Sequence, residues 1–216
     1  EIDVTSKCNA NCPFCFQGDH SILKPEMSLE MIRQLLDGLR ELGTYYIGFS
    51  GGEPFARCDF IDILREAKKR AFRISLITNG MLLNHNMIDE LAALRLDRIT
   101  VSFHSIEISE YLKCFGIANR NAYFSALDNI KYMINKGIPL GIAITVTKFN
   151  INSLSATTDY FVNLGIPEEC INYNLLLSGE RDIASLRPAN SDITINQDAY
   201  GGLQRQLVRW STAAVR

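Results

Sequence analysis

The sequence lacks the features that mark several specialised protein classes. None of its apolar runs approaches the ~20 residues that a membrane-spanning helix needs, so we expect no membrane partner. The net charge of the 216 residues is only −2, which gives no reason to expect a nucleic-acid partner. The opening residues resemble a strand rather than a secretion signal, and we therefore expect a cytoplasmic protein.

Both ends of the chain bear on its domain organisation. The first residue is Glu1 rather than Met, a strand-like segment starts at once, and a helix-like segment near Trp210 is followed by only a few residues. A chain of this length fits one large domain. We expect residues 1–216 to form one core domain that is truncated at both ends.

The order of segments predicts the fold class. Six strand-like segments, rich in Ile, Val, Thr, Tyr or Phe, cover residues 1–6, 45–50, 73–78, 98–103, 139–147 and 170–177. Amphipathic helix-like segments cover residues 28–42, 60–71, 87–94, 122–136, 153–164 and 197–210. Ser28 and Asp59 are predicted to cap the first two of these helices. Such βα units predict a parallel sheet, either doubly wound or curved into a partial barrel, with its ligand site at the carboxyl ends of the strands.

Three of the six cysteines form a motif at the end of the first strand. Cys8, Cys12 and Cys15 have the spacing C-x3-C-x2-C. Three thiolates on one short loop can hold three corners of a cubane iron–sulfur cluster and leave one iron open. A structural zinc site is the alternative, because His20 or Cys58 could supply the fourth ligand that zinc requires. The spacing favours the cluster.

A second motif, Ser50-Gly51-Gly52-Glu53-Pro54, ends the second strand. Paired glycines allow backbone to approach a ligand closely. Glu53 adds a carboxylate where a cationic amine could bind. Taken alone, the motif is also typical of an ordinary turn between a strand and a helix.

The two motifs together resemble the radical S-adenosylmethionine (radical SAM) superfamily. An aromatic residue, Phe14, precedes the third cysteine, as in that family. The resemblance extends to later strand ends, at Thr78-Asn79-Gly80, Val101-Ser102-Phe103-His104-Ser105 and Val146-Thr147-Lys148-Phe149-Asn150. It is strongest to the SPASM-type branch, which modifies peptides and proteins. Two departures are that many relatives carry Asp where this chain has His104, and that no cysteine cluster follows Cys15.

The resemblance implies a fold, a set of cofactors and a reaction. The fold would be a partial (β/α)6 TIM-like barrel with parallel strands. Cys8, Cys12 and Cys15 would bind a [4Fe-4S] cluster, and its open iron would bind S-adenosylmethionine. The residues expected at that cofactor are Phe14 near the adenine, Gly51, Gly52 and Glu53 at the methionine amino group, Asn79 at the third strand end, and Ser102 and His104 near the ribose or the carboxylate. Reductive cleavage would release a 5′-deoxyadenosyl radical that abstracts hydrogen from a substrate.

The expected partners are less specific than the cofactors. The branch implies a peptide or protein substrate and a reductase or a flavodoxin-type electron donor. The alternatives are a small-molecule radical SAM enzyme, a zinc-binding α/β module without redox chemistry, and an inert cofactor-binding fragment. No substrate-activating residue can be named from the sequence.

The predicted barrel also implies a route for the substrate. A barrel of six βα units closes less completely than a barrel of eight. We therefore expect an open side between residues 1–6 and 170–177, with a solvated cysteine loop. Residues 104–121 form a long predicted loop, and long loops in compact domains are often functional. We expect this loop, with Tyr111, Cys114, Phe115 and Arg120, to grip a peptide there.

Overall fold

The fold is built on six parallel strands, each connected to the next through at least one helix. The structure, a computed structural model, describes residues 1–15, 17 and 23–175. The strands are β1 (Ile2–Asp3), β2 (Tyr46–Ser50), β3 (Arg73–Thr78), β4 (Arg98–Ser102), β5 (Leu140–Val146) and β6 (Ile171–Leu175). The helices are α1 (Leu29–Glu41), α2 (Phe60–Lys69), α3 (His85–Leu94), α4 (Ile108–Phe115), α5 (Arg120–Asn135) and α6 (Leu154–Asn163).

The strand order distinguishes a partial barrel from a doubly wound sheet. The strands lie in the order β1-β2-β3-β4-β5-β6, so each is added on the same side of its predecessor. A doubly wound sheet reverses direction partway. The sheet is also curved, because one cavity is lined by Glu1 before β1, Ile77 on β3 and Asn174 on β6. The predicted partial (β/α)6 barrel is therefore confirmed.

The barrel is open on one side within the part of the chain that the structure describes. There, β1 pairs only with β2 and β6 pairs only with β5. The expected opening between the first and last strands is thus present among these residues. The cysteines of the C-x3-C-x2-C motif are partly exposed, as expected.

The core lies between the sheet and the surrounding helices. Fully buried side chains point from the middle of each long strand, among them Phe49, Leu76, Val101 and Ile142. The apolar faces of the helices cover them, for example Leu36 on α1. Burial alternates along β3 and β4, so the apolar side chains on one face of the sheet are buried more completely than the residues between them.

Of the two helix caps predicted from the sequence, one is formed and one is not. The Ser28 hydroxyl accepts a hydrogen bond from the Met31 N–H at 3.2 Å and begins α1. Asp59 occupies the position before α2, but its side chain makes no cap hydrogen bond. Its carboxylate instead accepts a hydrogen bond of 2.6 Å from the Arg57 guanidinium. A charge-assisted pair is stronger than a neutral contact to a backbone N–H.

The prediction of a long loop at residues 104–121 is wrong. The segment contains α4, which buries Tyr111, Cys114 and Phe115 completely or nearly so. These side chains are core residues and cannot grip a substrate; Arg120 already belongs to α5. Eight residues with no side-chain cap give too short a periodic pattern for a helix prediction from sequence alone.

Two further predictions concern regions outside this description. The predicted helix at 197–210 and the candidate zinc ligand His20 lie outside the described residues. Among the residues described, no helix has both the length and the apolar character required to cross a membrane.

The close contact between the end of α4 and the cysteine motif can be tested by substituting glycines. Gly116 and Gly137 both follow a helix with positive φ, at 61° and 68°. A β-carbon at Gly116 would lie 2.1 Å from the Asn11 carbonyl oxygen, whereas one at Gly137 would meet nothing within 4 Å. Gly137→Ala should cost ~1–2 kcal/mol of unfolding free energy for its left-handed conformation alone.

Gly116→Ala should lose the same ~1–2 kcal/mol of unfolding free energy for its left-handed conformation. It should lose ~1–3 kcal/mol more, because the added methyl group overpacks the backbone before Cys12. Urea unfolding of the two variants beside the wild type measures the difference. Equal losses in the two variants would contradict a tight contact between α4 and the cysteine motif.

Candidate functional site

One cavity at the carboxyl ends of the strands brings the predicted site residues together. Its volume is about 420 Å³, within the range of ~300–1,000 Å³ that small-molecule sites occupy. Every residue predicted at the site lines it: Cys8, Cys12, Phe14, Cys15, Gly51, Gly52, Glu53, Asn79, Ser102 and His104. They come from four segments of the chain that are far apart in sequence. The parallel sheet assembles them because its strands all end at the same edge.

The three cysteines lie close enough to influence one another electrostatically. The Cys15 N–H donates to the Cys12 carbonyl at 3.1 Å, so the last two form one tight turn. Burial, and then the charges of Cys15 and Cys8, raise the pKa of the Cys12 thiol well above its usual range. Burial also raises the pKa of Cys8. Three thiolates at this site therefore require a positively charged partner.

The spacing of these thiols bears on the kind of metal centre. Tetrahedral zinc with bonds of ~2.3 Å would bring its sulfur ligands within ~3.8 Å of one another. Within residues 1–15, 17 and 23–175, no three or more His, Cys, Asp or Glu side chains are grouped closely enough to hold one metal ion. Cys58 is exposed and does not line the cavity, so the four-cysteine alternative for zinc is not formed.

The segment of residues 8–15, which we call the cysteine loop, is fastened to the barrel at two points. The Asn9 side chain accepts a hydrogen bond of 2.7 Å from the Asn79 amide after β3. The Asn11 N–H donates to the Phe115 carbonyl at the end of α4, at 2.8 Å. These anchors are separated from the loop by 70 or more residues. The two hydrogen bonds hold the cysteines at the cavity, at the carboxyl ends of the strands.

The glycine pair places the start of the cysteine loop beside β2. The N–H groups of Gly52 and Glu53 donate to the carbonyls of Thr5 and Lys7, at 2.8 and 2.7 Å. A β-carbon on Gly51 would lie 2.5 Å from the Thr5 oxygen, and one on Gly52 would lie 2.2 Å from the Lys7 oxygen. The glycines are thus required by the close approach of the chain to itself. A contact with a ligand remains a prediction.

Glu53 is a buried carboxylate with an incomplete set of partners. Only 1% of it is exposed. It accepts hydrogen bonds from the Thr78 hydroxyl (2.7 Å), the Asn79 N–H (2.7 Å) and the Phe55 N–H (3.2 Å). Burial raises its pKa, and among the residues that the structure describes no positively charged side chain is one of the groups that act on it. A carboxylate can accept about four hydrogen bonds, so one position remains for a cationic donor.

His104 is held in its neutral form at the wall of the cavity. Its Nδ1 accepts a hydrogen bond of 3.1 Å from the Thr145 N–H, which assigns the proton to Nε2. Burial lowers the pKa of His104 to about 3. The ring lies against Phe14, with centroids 5.2 Å apart, and against Phe115, at 4.6 Å. It therefore offers a neutral N–H donor between two aromatic rings.

Some cavity and supporting residues belong to none of the sequence motifs. Asn9 and Phe115 reach the site only through contacts between distant segments, and Thr145 and Asn174 line the cavity because of the barrel's curvature. Cys114 is buried against the Thr147 hydroxyl, at 3.9 Å, as expected for a structural thiol. Successive side chains of a strand point to opposite faces of the sheet, and this alternation was the one pattern that could have identified the cavity residues on β5 and β6.

Comparison with known proteins matches this site to a defined family. The family model for the radical SAM superfamily matches residues 2–161. The chain is 29% identical over 187 residues to the tungsten-containing aldehyde ferredoxin oxidoreductase cofactor-modifying protein of Pyrococcus furiosus, with 83% of this chain and 52% of that protein covered. It is 26% identical over 200 residues to a PqqA peptide cyclase of Streptomyces rochei, with 92% and 54% covered.

A solved structure has the same fold. Streptococcus suis SuiB bound to S-adenosylmethionine superposes with a TM-score of 0.73 at 15% identity, covering 99% of this chain and 47% of SuiB. The chain spans about half the length of these curated relatives. The match therefore concerns a core that the relatives share.

The neutral state of His104 predicts a pH dependence. In the unfolded chain the imidazole takes up a proton below about pH 6.5, but in the fold only near pH 3. Stability must therefore fall as the pH drops below 6.5, by up to ~1.4 kcal/mol per pH unit. His104→Asn keeps an acceptor near the Nδ1 position and cannot ionise.

Between pH 7 and pH 5 the wild type should lose ~2 kcal/mol more unfolding free energy than His104→Asn. Urea unfolding of the metal-free proteins at both pH values measures this. The same pH dependence in both proteins would mean that His104 is protonated within the fold.

Proposed function

Because the chain belongs to the radical SAM superfamily, we propose that it is the catalytic core of an enzyme that cleaves S-adenosylmethionine reductively. The single observation that carries this proposal is the cavity in which three cysteines, the Gly-Gly-Glu segment and His104 face one another. In this proposal residues 1–216 are the core domain. A reductase or a flavodoxin-type protein supplies the electron.

Cys8, Cys12 and Cys15 would hold the [4Fe-4S] cluster that the family uses. The donor set fits: three soft thiols repel one another as thiolates, and a cluster supplies the positive iron that they need. When bound, the cluster and S-adenosylmethionine supply the chemistry, in which one electron breaks the sulfonium carbon–sulfur bond and the 5′-deoxyadenosyl group abstracts a substrate hydrogen. The cysteine loop holds the thiols in place through Asn9 and Asn11.

The remaining cavity residues would bind and orient the cofactor. Glu53 is a buried carboxyl group with one open acceptor position, which suits the methionine ammonium group because that cation would favour the ionised carboxylate. Phe14 would lie against the adenine. The neutral His104 N–H would donate to the carboxylate or the ribose, beside Ser102 and Asn79. The sheet and the cysteine loop would cover part of the bound cofactor and so limit the access of water to the reacting atoms.

The substrate we propose is a peptide or a protein. Two observations support it: the opening between β1 and β6 among the described residues, and the similarity to a protein named as a peptide cyclase. An open strand edge can accept an extended peptide. The similarity to a cofactor-modifying protein favours a small molecule as the second candidate.

The cysteine assignment predicts which substitutions remove the metal. Replacing any one of Cys8, Cys12 or Cys15 with Ala should abolish stable iron and sulfide binding, because two thiolates do not retain a cubane cluster. Cys58→Ala and Cys170→Ala are matched controls and should keep the wild-type iron and sulfide content. Anaerobic reconstitution followed by iron and sulfide analysis measures the outcome.

Two results would count against the assignment. Zinc without sulfide in the wild-type protein would favour the zinc-binding module. Loss of iron in Cys58→Ala equal to that in Cys12→Ala would mean that four cysteines bind the metal and that no iron is open.

The role of Glu53 predicts a change in cofactor affinity. The reconstituted and reduced wild type should release 5′-deoxyadenosine slowly without substrate. Glu53→Ala should weaken S-adenosylmethionine binding ~10–150-fold, the value of ~1.5–3 kcal/mol for a charge-assisted hydrogen bond, while keeping its iron. Equilibrium dialysis measures the affinity.

Thr78→Val is the control, because it removes a hydrogen bond of Glu53 but leaves the charge. Both variants should be less stable than the wild type, and only Glu53→Ala should lose most of its cofactor affinity. An equal loss of affinity in both would mean that Glu53 acts only through the fold.

A further inference from the structure

Asn150 ends the last of the sequence motifs, in the turn after β5, and makes more hydrogen bonds than a turn requires. The residue is fully buried and is not among the described residues that line the cavity. Its amide nitrogen donates to the carbonyls of His104 (2.6 Å) and Thr145 (3.0 Å). Its oxygen accepts from the N–H (2.8 Å) and the hydroxyl (3.1 Å) of Thr147. All four hydrogen-bonding positions of the side chain are therefore used.

The bonds of Asn150 take over where the pairing of β4 with β5 ends. Before that point, the Phe103 N–H donates to the Ala143 carbonyl at 3.0 Å, as in an ordinary parallel ladder. After it, the Thr145 N–H donates to the ring of His104 instead, at 3.1 Å to Nδ1. The Asn150 amide bridges the carbonyls of these same two residues. The side chain thus determines how Thr145 and His104 face each other.

The other ring nitrogen of His104 reaches the cavity. A backbone N–H can only donate, so Nδ1 is the acceptor for Thr145 and Nε2 carries the proton of the neutral ring. Among the described residues, Nε2 has no hydrogen-bond partner, and the Tyr111 hydroxyl is the one fully buried side-chain nitrogen or oxygen in that situation. Nε2 is therefore not fully buried. Since His104 lines the cavity, its N–H faces the open space there.

We propose that Asn150 is a positioning residue that keeps the proton of His104 on Nε2, so that the cavity offers a hydrogen-bond donor to the carboxylate or the ribose of the cofactor. The identity of this ligand rests on the proposed function; the state of the ring does not. Without the amide, two carbonyls lose their donor, and the ends of β4 and β5 are free to shift apart. The Thr145 N–H then no longer occupies Nδ1. A proton on Nδ1 would turn Nε2 into an acceptor.

The test compares two buried asparagines that make the same kind of contact. Asn129 on α5 also donates to two backbone carbonyls, those of Gly80 and Leu83, at 2.9 Å each. Asn150→Ala and Asn129→Ala should both lower the midpoint of urea unfolding, because each leaves two carbonyls without their donor. Only Asn150→Ala should change the state of His104.

Nitrogen-15 NMR of the metal-free proteins at pH 7 reports the position of the ring proton. The chain has three histidines, and the signals of His104 are those missing from the spectrum of His104→Asn. The wild type and Asn129→Ala should have a protonated Nε2 and an unprotonated Nδ1. In Asn150→Ala the ratio of the two tautomers should change about tenfold toward the Nδ1–H form, roughly the value of one hydrogen bond. If Asn150→Ala does not fold, Asn150→Ser replaces it, with a shift in the same direction.

Cofactor affinity is the second measurement, by equilibrium dialysis of the reconstituted proteins against S-adenosylmethionine. Asn150→Ala should bind S-adenosylmethionine about tenfold more weakly than the wild type, because an oxygen of the cofactor would meet an acceptor in place of a donor. Asn129→Ala should bind it with wild-type affinity.

The outcomes separate this inference from the proposed function. A wild-type ring protonated at Nδ1, or the same tautomer ratio in Asn150→Ala and the wild type, would overturn the role of Asn150. A changed ratio with unchanged affinity would overturn its link to the cofactor. A wild-type protein that assembles no cluster or binds no S-adenosylmethionine would refute the proposed function, whereas the spectra of the metal-free proteins would still decide whether Asn150 positions His104.

Discussion

The backbone contact between the second strand end and the chain leading into the cysteine loop determines the geometry of the whole site. Two hydrogen bonds, from Gly52 to Thr5 and from Glu53 to Lys7, continue the β1–β2 pairing beyond the strands. Only glycine fits there, since a β-carbon would overlap the neighbouring carbonyl. This contact fixes the start of the cysteine loop and turns Glu53 toward Thr78 and Asn79 at the end of the next strand. The cysteines and the carboxylate therefore share one cavity.

Much of this arrangement could be predicted from the sequence, because it depends on local patterns. Five helices and six strands lie within a few residues of the predicted segments. Runs such as 140–146 are apolar on both faces, which indicates buried parallel strands. Parallel strands put their carboxyl ends together, so the motifs after Asp3, Ser50, Thr78 and Ser102 had to meet. Every predicted site residue lines the cavity for this reason.

The features that escaped prediction depend on contacts between distant segments. α4 is only eight residues long and has no side-chain cap, so its helical state depends on burial of Tyr111, Cys114 and Phe115. The bond from Asn79 to Asn9 joins residues 70 apart. Asp59 was predicted as a cap, but its carboxylate binds Arg57, whose guanidinium is held in place by the distant carbonyls of Val4 and Met27. No pattern within one segment reports such partners.

The groups that face the cavity share a physical property that links ligand binding to stability. Within the described part of the chain no cation lies beside the buried Glu53 carboxyl group, the three thiols repel one another once ionised, and His104 resists protonation. Each would be less costly in an unfolded, solvated chain. In the function we propose, a ligand that brings iron to the thiols and an ammonium group to Glu53 would offset these costs in the folded state alone, and its binding would also stabilise the fold. The same residues would then favour a ligand with positive charge at both positions, because only such a ligand relieves both costs.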